Sequence, residues 1–142
     1  MISNQEKKIL VQNAIKVYKN AYAPYSRYKV GAAILTEDDN IYTGSNFESA
    51  AFAAGVCAER VALGTALSKG ERKFKAICVC GNNVNITPCG VCRQALAEFN
   101  DIEVICCDEH GNTKEYFLSD LLPYSFDSKQ VIYNVIKCHN EK

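Results

Sequence analysis

Two short pieces, Cys57-Ala58-Glu59-Arg60 and Pro88-Cys89-Gly90-Val91-Cys92-Arg93, constrain this chain more than any other part of it. Written as patterns they are C-x-E and P-C-x-x-C. Their three thiols fit a single zinc ion held by Cys57, Cys89 and Cys92, with the fourth position left for water. An open position is the mark of a catalytic zinc rather than a structural one. Glu59, two residues from a ligand, is then placed to carry the protons of that water. Spacing also dictates local structure. Residues three apart share one side of a helix, with Cβ atoms ~5–6 Å apart, so Cys89 and Cys92 fit the first turn of a helix opened by Pro88. Cys57 and Glu59 are two apart and would diverge in mid-helix, so Cys57 must stand at a helix entrance, before helical angles begin. Both helices then aim their positive dipole ends at the ion, which favours thiolate over thiol.

Whether those thiols are free for metal depends on the compartment. The chain has eight cysteines, but Met1 to Lys8 reads M-I-S-N-Q-E-K-K, without the apolar core or cleavage site of a signal peptide. This predicts a cytoplasmic, reducing setting, where C-x-x-C is a metal or redox motif before it is a bridge. No apolar run approaches the ~18 residues needed to span a bilayer, so no membrane partner is expected. Lys plus Arg and Asp plus Glu both number 16, giving a formal net charge of zero. The basic excess of a nucleic-acid binder is absent from these totals, which points to a free small molecule rather than DNA or RNA.

Hydrophobic periodicity lays out the rest as one domain over 1–142, without repeats or linkers. Ser3-Asn4-Gln5-Glu6 is a capping box, and Ile9, Leu10, Ala14, Val17 and Ala21 follow at helical spacing, to end before Ala23-Pro24. Segments 30–35 and 41–46 flank a polar turn and read as a hairpin. Small residues crowd 49–55, which either lets backbones approach closely, against another subunit or beneath a ligand, or forms a loosely coded helix. A second helix is expected over 57–69, stopped by Gly70. Buried strands are expected over 74–80 and 102–107, with the Pro88 helix between them. A short strand near 116–118 and one helical turn before Pro123 follow, and Val131, Ile132, Val135 and Ile136 suit a terminal helix. Cys78, Cys80, Cys106 and Cys107 lie in apolar runs and read as small buried hydrophobes. Strands alternating with helices after a hairpin make an α/β fold, a mixed sheet with helices on both faces.

The combination of A-Y-A-P-Y-S, V-G-A-A, N-x-E, C-A-E-R, P-C-G-x-C-R-Q and L-L-P-x-x-F, in that order between about 21 and 126, resembles the small three-cysteine cytidine deaminases. The three-cysteine site with a non-ligand glutamate belongs to the zinc deaminases of nucleobases. The resemblance implies a three-layer α/β/α sandwich with about five strands, one zinc per chain, and a homotetramer with sites at subunit interfaces. It implies hydrolytic deamination of cytidine and deoxycytidine, with Glu59 moving a proton from water to ring N3 and another to the departing amino group. Asn46 and Glu48 match residues that hold the ribose hydroxyls, and the backbone of Ala58 one that reads the base. Tyr28 stands where the family commonly has a phenylalanine stacking near the pyrimidine, and Phe126 matches an aromatic that reaches a neighbouring subunit's site.

Three thiolates leave a zinc dication with net negative charge, a poor Lewis acid. Arg60 and Arg93, each beside a motif residue, are therefore expected to donate hydrogen bonds to the sulfurs and draw charge off them. Competing readings stand beside this one. Cys80, Cys106, Cys107 or Cys138 could close a purely structural site, making a zinc-stabilised nucleoside- or RNA-binding module. A deaminase of a cytosine-bearing antibiotic nucleoside such as blasticidin S would share C-A-E and P-C-x-x-C-R-Q.

Overall fold

The computed structural model describes residues 1–129 and Val131. Most of the expected terminal helix, with Cys138 and His139, lies outside the described residues. The first helix, α1 (Asn4–Tyr18), begins at the anticipated capping box: Glu6 N–H donates to Ser3 Oγ at 3.2 Å and Ser3 N–H to Glu6 Oε2 at 2.7 Å. Two backbone donors that the first turn would otherwise strand are thereby satisfied. The helix stops earlier than expected, and the chain turns through Lys19 and Asn20 to reach Tyr22, whose backbone bridges Phe47.

The hairpin forms from β1 (Gly31–Thr36) and β2 (Ile41–Ser45), closed by a turn in which Asp39 adopts φ 64°. Further on come α2 (Ala58–Ser68), β3 (Phe74–Gly81), α3 (Gly90–Ala97), β4 (Glu103–Asp108), β5 (Thr113–Phe117) and a short α4 (Leu118–Leu121). The strands make one five-stranded sheet in the order β2-β1-β3-β4-β5. Only β3 and β4 run parallel, which is what a crossover through α3 requires.

Period-two alternation divides the sheet between two cores. Ala32, Ile34, Ile77, Val79 and Val104 face α2 and α3, meeting Ala62, Leu63, Ala66 and Leu96. Their neighbours Ala33, Leu35, Cys78, Cys80 and Ile105 face the other way, onto Leu10, Val11 and Ala14 of α1. The result is the expected α/β/α sandwich with a mixed sheet. Cys78, Cys80, Cys106 and Cys107 are all buried free thiols, packed as hydrophobes. No helix among the described residues is long and apolar enough to cross a membrane.

Close helix-to-sheet contact depends on two glycines. A Cβ at Gly31 would stand 2.5 Å from Ala14 O in α1, and one at Gly44 would stand 2.4 Å from Ala62 N and 2.6 Å from Ala58 O in α2. Gly44 therefore sets how deeply the start of α2 lies on the sheet. In 49–55 the helical alternative shrinks to one 3-10 turn, Phe52–Ala54. At Gly55 a Cβ would stand 3.1 Å from Phe47 O, beside the Phe47–Val56 bridge within the chain. The last strand is longer than expected because Thr113, Lys114 and Glu115 pair with β4 while staying solvent-facing, and Leu118 turns inward to begin α4.

Candidate active site

Cys57 caps α2 with φ −67° and ψ 150°, the non-helical entrance its spacing to Glu59 demands. Cys89 caps α3 in the same extended conformation, so Gly90, rather than Pro88, is the first helical residue. Cys92 follows in the first turn, buried. The three Sγ atoms lie within 4.8 Å of one another, and Cys57 and Cys89 are 3.8 Å apart. A tetrahedral ion with Zn–S bonds of ≈ 2.3 Å needs sulfurs roughly 3.8 Å apart, so this donor set fits zinc. Among the described residues no fourth Cys, His or carboxylate joins the cluster, which removes Cys80, Cys106 and Cys107 as closing ligands.

The electrostatics agree with a metal-ready site. The Cys57 thiol is drawn down to about 5, chiefly by the Cys92 thiol beside it and further by Cys89 and Arg60, against the cost of burial. Cys92 is pushed up by the thiolate of Cys57 and by its own burial. Glu59 is only 4% exposed, and burial lifts its carboxyl to about 6, with the charge of Cys57 adding to the rise. A carboxylate in that range can take and return a proton near neutrality.

The two arginines part company. Burial lowers the pKa of Arg60, but the neighbouring Cys57 and Cys92 thiols more than reverse this, and its Nε is buried without a hydrogen-bond partner. Arg93 does not hydrogen bond to sulfur. Its Nε donates to Pro88 O at 2.6 Å, Nη1 to Leu121 O at 2.6 Å and Nη2 to Thr87 Oγ1 at 2.8 Å. The cause is competition: the bare carbonyls before Cys89 and at the end of α4 are within its fork, so Arg93 fixes the ligand loop instead of the ligands' charge.

A cavity of about 560 Å³ opens over Cys57, Ala58, Glu59 and Cys89 and is walled by Tyr28, Asn46 and Glu48. Asn46 Oδ1 accepts from Val30 N–H at 2.8 Å, and its Nδ2 donates to Tyr28 O at 2.9 Å. Glu48 accepts from Tyr25 N–H at 2.8 Å, Ser26 N–H at 3.1 Å and the Ser26 hydroxyl. Those bonds, the hydroxyl's first, hold the Glu48 carboxyl below its usual range despite partial desolvation. A second cavity of about 500 Å³, flanked by Tyr25, Phe47 and Phe52, meets the first at Ser26, Asn46, Glu48 and Cys57. Phe126 does not line the cavity of its own chain; it is 61% exposed, and the Gln94 side chain clamps its backbone in both directions, at 2.9 and 3.1 Å. Ser26, Gln94 and the cavity-lining Ile86 were not singled out by sequence. Ser26 and Gln94 sit inside recognisable motifs, which was the only signal available, and Ile86 carried none.

Residues 4–108 match the family described as the cytidine and deoxycytidylate deaminase zinc-binding region. A cytidine deaminase of Sporosarcina psychrophila is 39% identical over 127 residues, covering 87% of this chain and 93% of that one. A probable cytidine deaminase of Dictyostelium discoideum is 40% identical over 114 residues, 79% and 78% of the two chains. The crystal structure of cytidine deaminase from Burkholderia pseudomallei is similar in fold, with a TM-score of 0.80 at 38% identity, covering 88% of this chain and all of that one. With three sulfurs gathered at two helix entrances, a buried carboxylate beside them, and a match spanning most of its length, the chain belongs to the cytidine and deoxycytidylate deaminase family.

Proposed function

We propose that this chain hydrolyses cytidine and deoxycytidine to uridine and deoxyuridine, releasing ammonia, as in pyrimidine salvage. The observation that carries this reading is Glu59: a carboxylate almost wholly buried that opens onto the same cavity as Cys57 and Cys89. Neither a structural zinc site nor a passive binding module has use for such a group, since burying a carboxylate is costly. Zinc, held by Cys57, Cys89 and Cys92, would supply the Lewis acidity that makes water nucleophilic near neutral pH. Every other task falls to the chain's own residues. Glu59 accepts a proton from the water and delivers it to ring N3, leaving C4 electrophilic. The hydroxide so formed adds to C4, and Glu59 then takes the proton of that new hydroxyl and passes it to the amino group. The C4–N bond breaks, ammonia leaves, C4 keeps a carbonyl, and the carboxylate ends the cycle ionised as it began.

The remaining site residues take positional roles. Arg60 lowers the negative charge on the sulfurs, and Arg93 holds Pro88 and Thr87 ahead of Cys89. The backbone of Ala58 reads the base and Tyr28 offers it an aromatic face. Asn46 and Glu48 receive the ribose hydroxyls. An ionised carboxylate has about four acceptor sites, and three donors from the loop already occupy Glu48, so room for one hydroxyl remains. Exposure of Phe126, with its backbone held by Gln94, supports a homotetramer in which this ring enters a neighbour's cavity. Balanced charge supports a free nucleoside, and we place the chain as a single domain over 1–142 in the cytoplasm.

The test is conversion of cytidine to uridine and ammonia, with blasticidin S assayed alongside and zinc counted per chain. Chelation should abolish turnover and zinc should restore it. Glu59→Ala should keep its zinc and lose at least the ~10²–10⁴-fold that general acid–base catalysis contributes. An active Glu59→Ala, or a chain that turns over only blasticidin S, would overturn the reading.

A further inference from the structure

Ser26 occupies a position that the catalytic scheme above does not use. It lines both cavities, at the seam where they meet Asn46, Glu48 and Cys57. Its hydroxyl donates to Glu48 Oε1, while its backbone N–H and that of Tyr25 reach Oε2 at 3.1 and 2.8 Å. The same Oγ accepts from Tyr28 N–H at 3.0 Å. One hydroxyl thus joins the two residues on opposite duties in the cavity wall, the aromatic for the base and the carboxylate for the sugar. Both Glu48 and Ser26 lie in irregular segments, where no helix or strand ladder fixes a side chain. An unrestrained glutamate has several rotamers open to it, and selecting one costs entropy that binding must otherwise meet. The Oε1 contact is the side-chain bond that pins the carboxylate's rotation, because the two backbone donors both meet Oε2.

We propose that Ser26 is a positioning residue for sugar recognition: its hydroxyl fixes the carboxylate plane of Glu48 so that one acceptor site on Oε1 faces the ribose. It deepens the proposed function and rests on it. Ser26 touches no reacting atom, and it acts through Glu48 on binding rather than on the chemical step.

The test separates sugar recognition from general support of the loop. Inhibition of cytidine turnover by uridine and by 2′,3′-dideoxyuridine, which lacks the 2′ and 3′ hydroxyls, is measured for the wild type and for Ser26→Ala. Loss of a hydrogen bond to a charged group predicts that uridine weakens by about tenfold, with KM for cytidine rising in parallel. Dideoxyuridine should stay within about twofold, kcat within about threefold, and zinc content should not change. Glu48→Ala supplies the cross-check: adding Ser26→Ala to it should weaken uridine by less than about twofold more, because there is no carboxylate left to orient. Equal weakening of both inhibitors, no weakening of either, a fall confined to kcat, or independent effects of the two substitutions would each overturn this role. A wild-type chain that releases no ammonia from cytidine would instead defeat the functional reading, and this role with it.

Discussion

Gly44→Ala should damage catalysis from a position that touches neither zinc nor substrate. The added Cβ would stand 2.4 Å from Ala62 N and 2.6 Å from Ala58 O, where ordinary contact begins at 3.4 Å, so α2 must retreat from β2 by about 1 Å. Both obstacles are backbone atoms of α2, which cannot swing aside as a flexible side chain would. Overpacking of this kind costs typically ~1–3 kcal/mol, or a Tm lower by up to roughly 10 °C for a chain of this size. The larger consequence is chemical. The displaced end of α2 carries Cys57, Ala58, Glu59 and Arg60, and a misplacement of ~1 Å in a catalytic constellation can cost ~10²-fold in rate.

Gly31→Ala is the matched control. Its Cβ meets Ala14 O and Tyr18 N at 2.5 Å, a clash of the same size on the opposite face of the sheet, against a helix that holds no site residue. Thermal melts, zinc per chain and kcat at 20 °C, well below either Tm, are the measurements. Both variants should lose stability, but only Gly44→Ala should lose kcat by tens-fold or more while folded. Equal kcat in the two folded variants would refute the argument that Gly44 sets the depth of the catalytic helix.

Other substitutions probe the charges. Arg60→Gln should leave zinc bound yet lower turnover by roughly 10–100-fold, the usual range for groups that support metal ligands; unchanged turnover would show that the sulfurs need no such help. At the far end of the molecule, Ser3 and then Lys75 hold the Glu6 carboxyl down at about 2, against an ordinary value of 4.5. A depressed carboxyl stabilises the fold above its unfolded pKa and loses that contribution as pH falls through the folded one. Wild type should therefore lose stability relative to Glu6→Gln between about pH 4.5 and 2, which denaturant titrations at pH 6 and pH 3 would detect as a narrowing gap.

Local signals in the sequence carried far. The reciprocal Ser3 and Glu6 bonds, the entrance position of Cys57 and the two-faced strands follow from spacing alone, because each depends on residues only a few positions apart. Arg93 shows where such reading stops. Its chemistry was inferred from the neighbouring ligand, but Leu121 O, 28 residues away, competes for the guanidinium, and only the packing of α4 on α3 brings that carbonyl within reach. Gly44 likewise looked like any strand glycine until α2 lay across it. The polar start of β5 gave no alternation to detect, since an edge strand facing water needs none. Ser26 was visible as a letter in a motif, but its partner Glu48 is 22 residues further on.

Anyone hoping to retune this pocket for altered pentoses faces a particular obstacle. Asn46 and Glu48 are also the pegs from which the rim bearing Tyr25, Ser26 and Tyr28 hangs. Replacing either peg removes a wall along with the sugar contact proposed for it, so preference for a new sugar would have to be built by redesigning the rim and its pegs together.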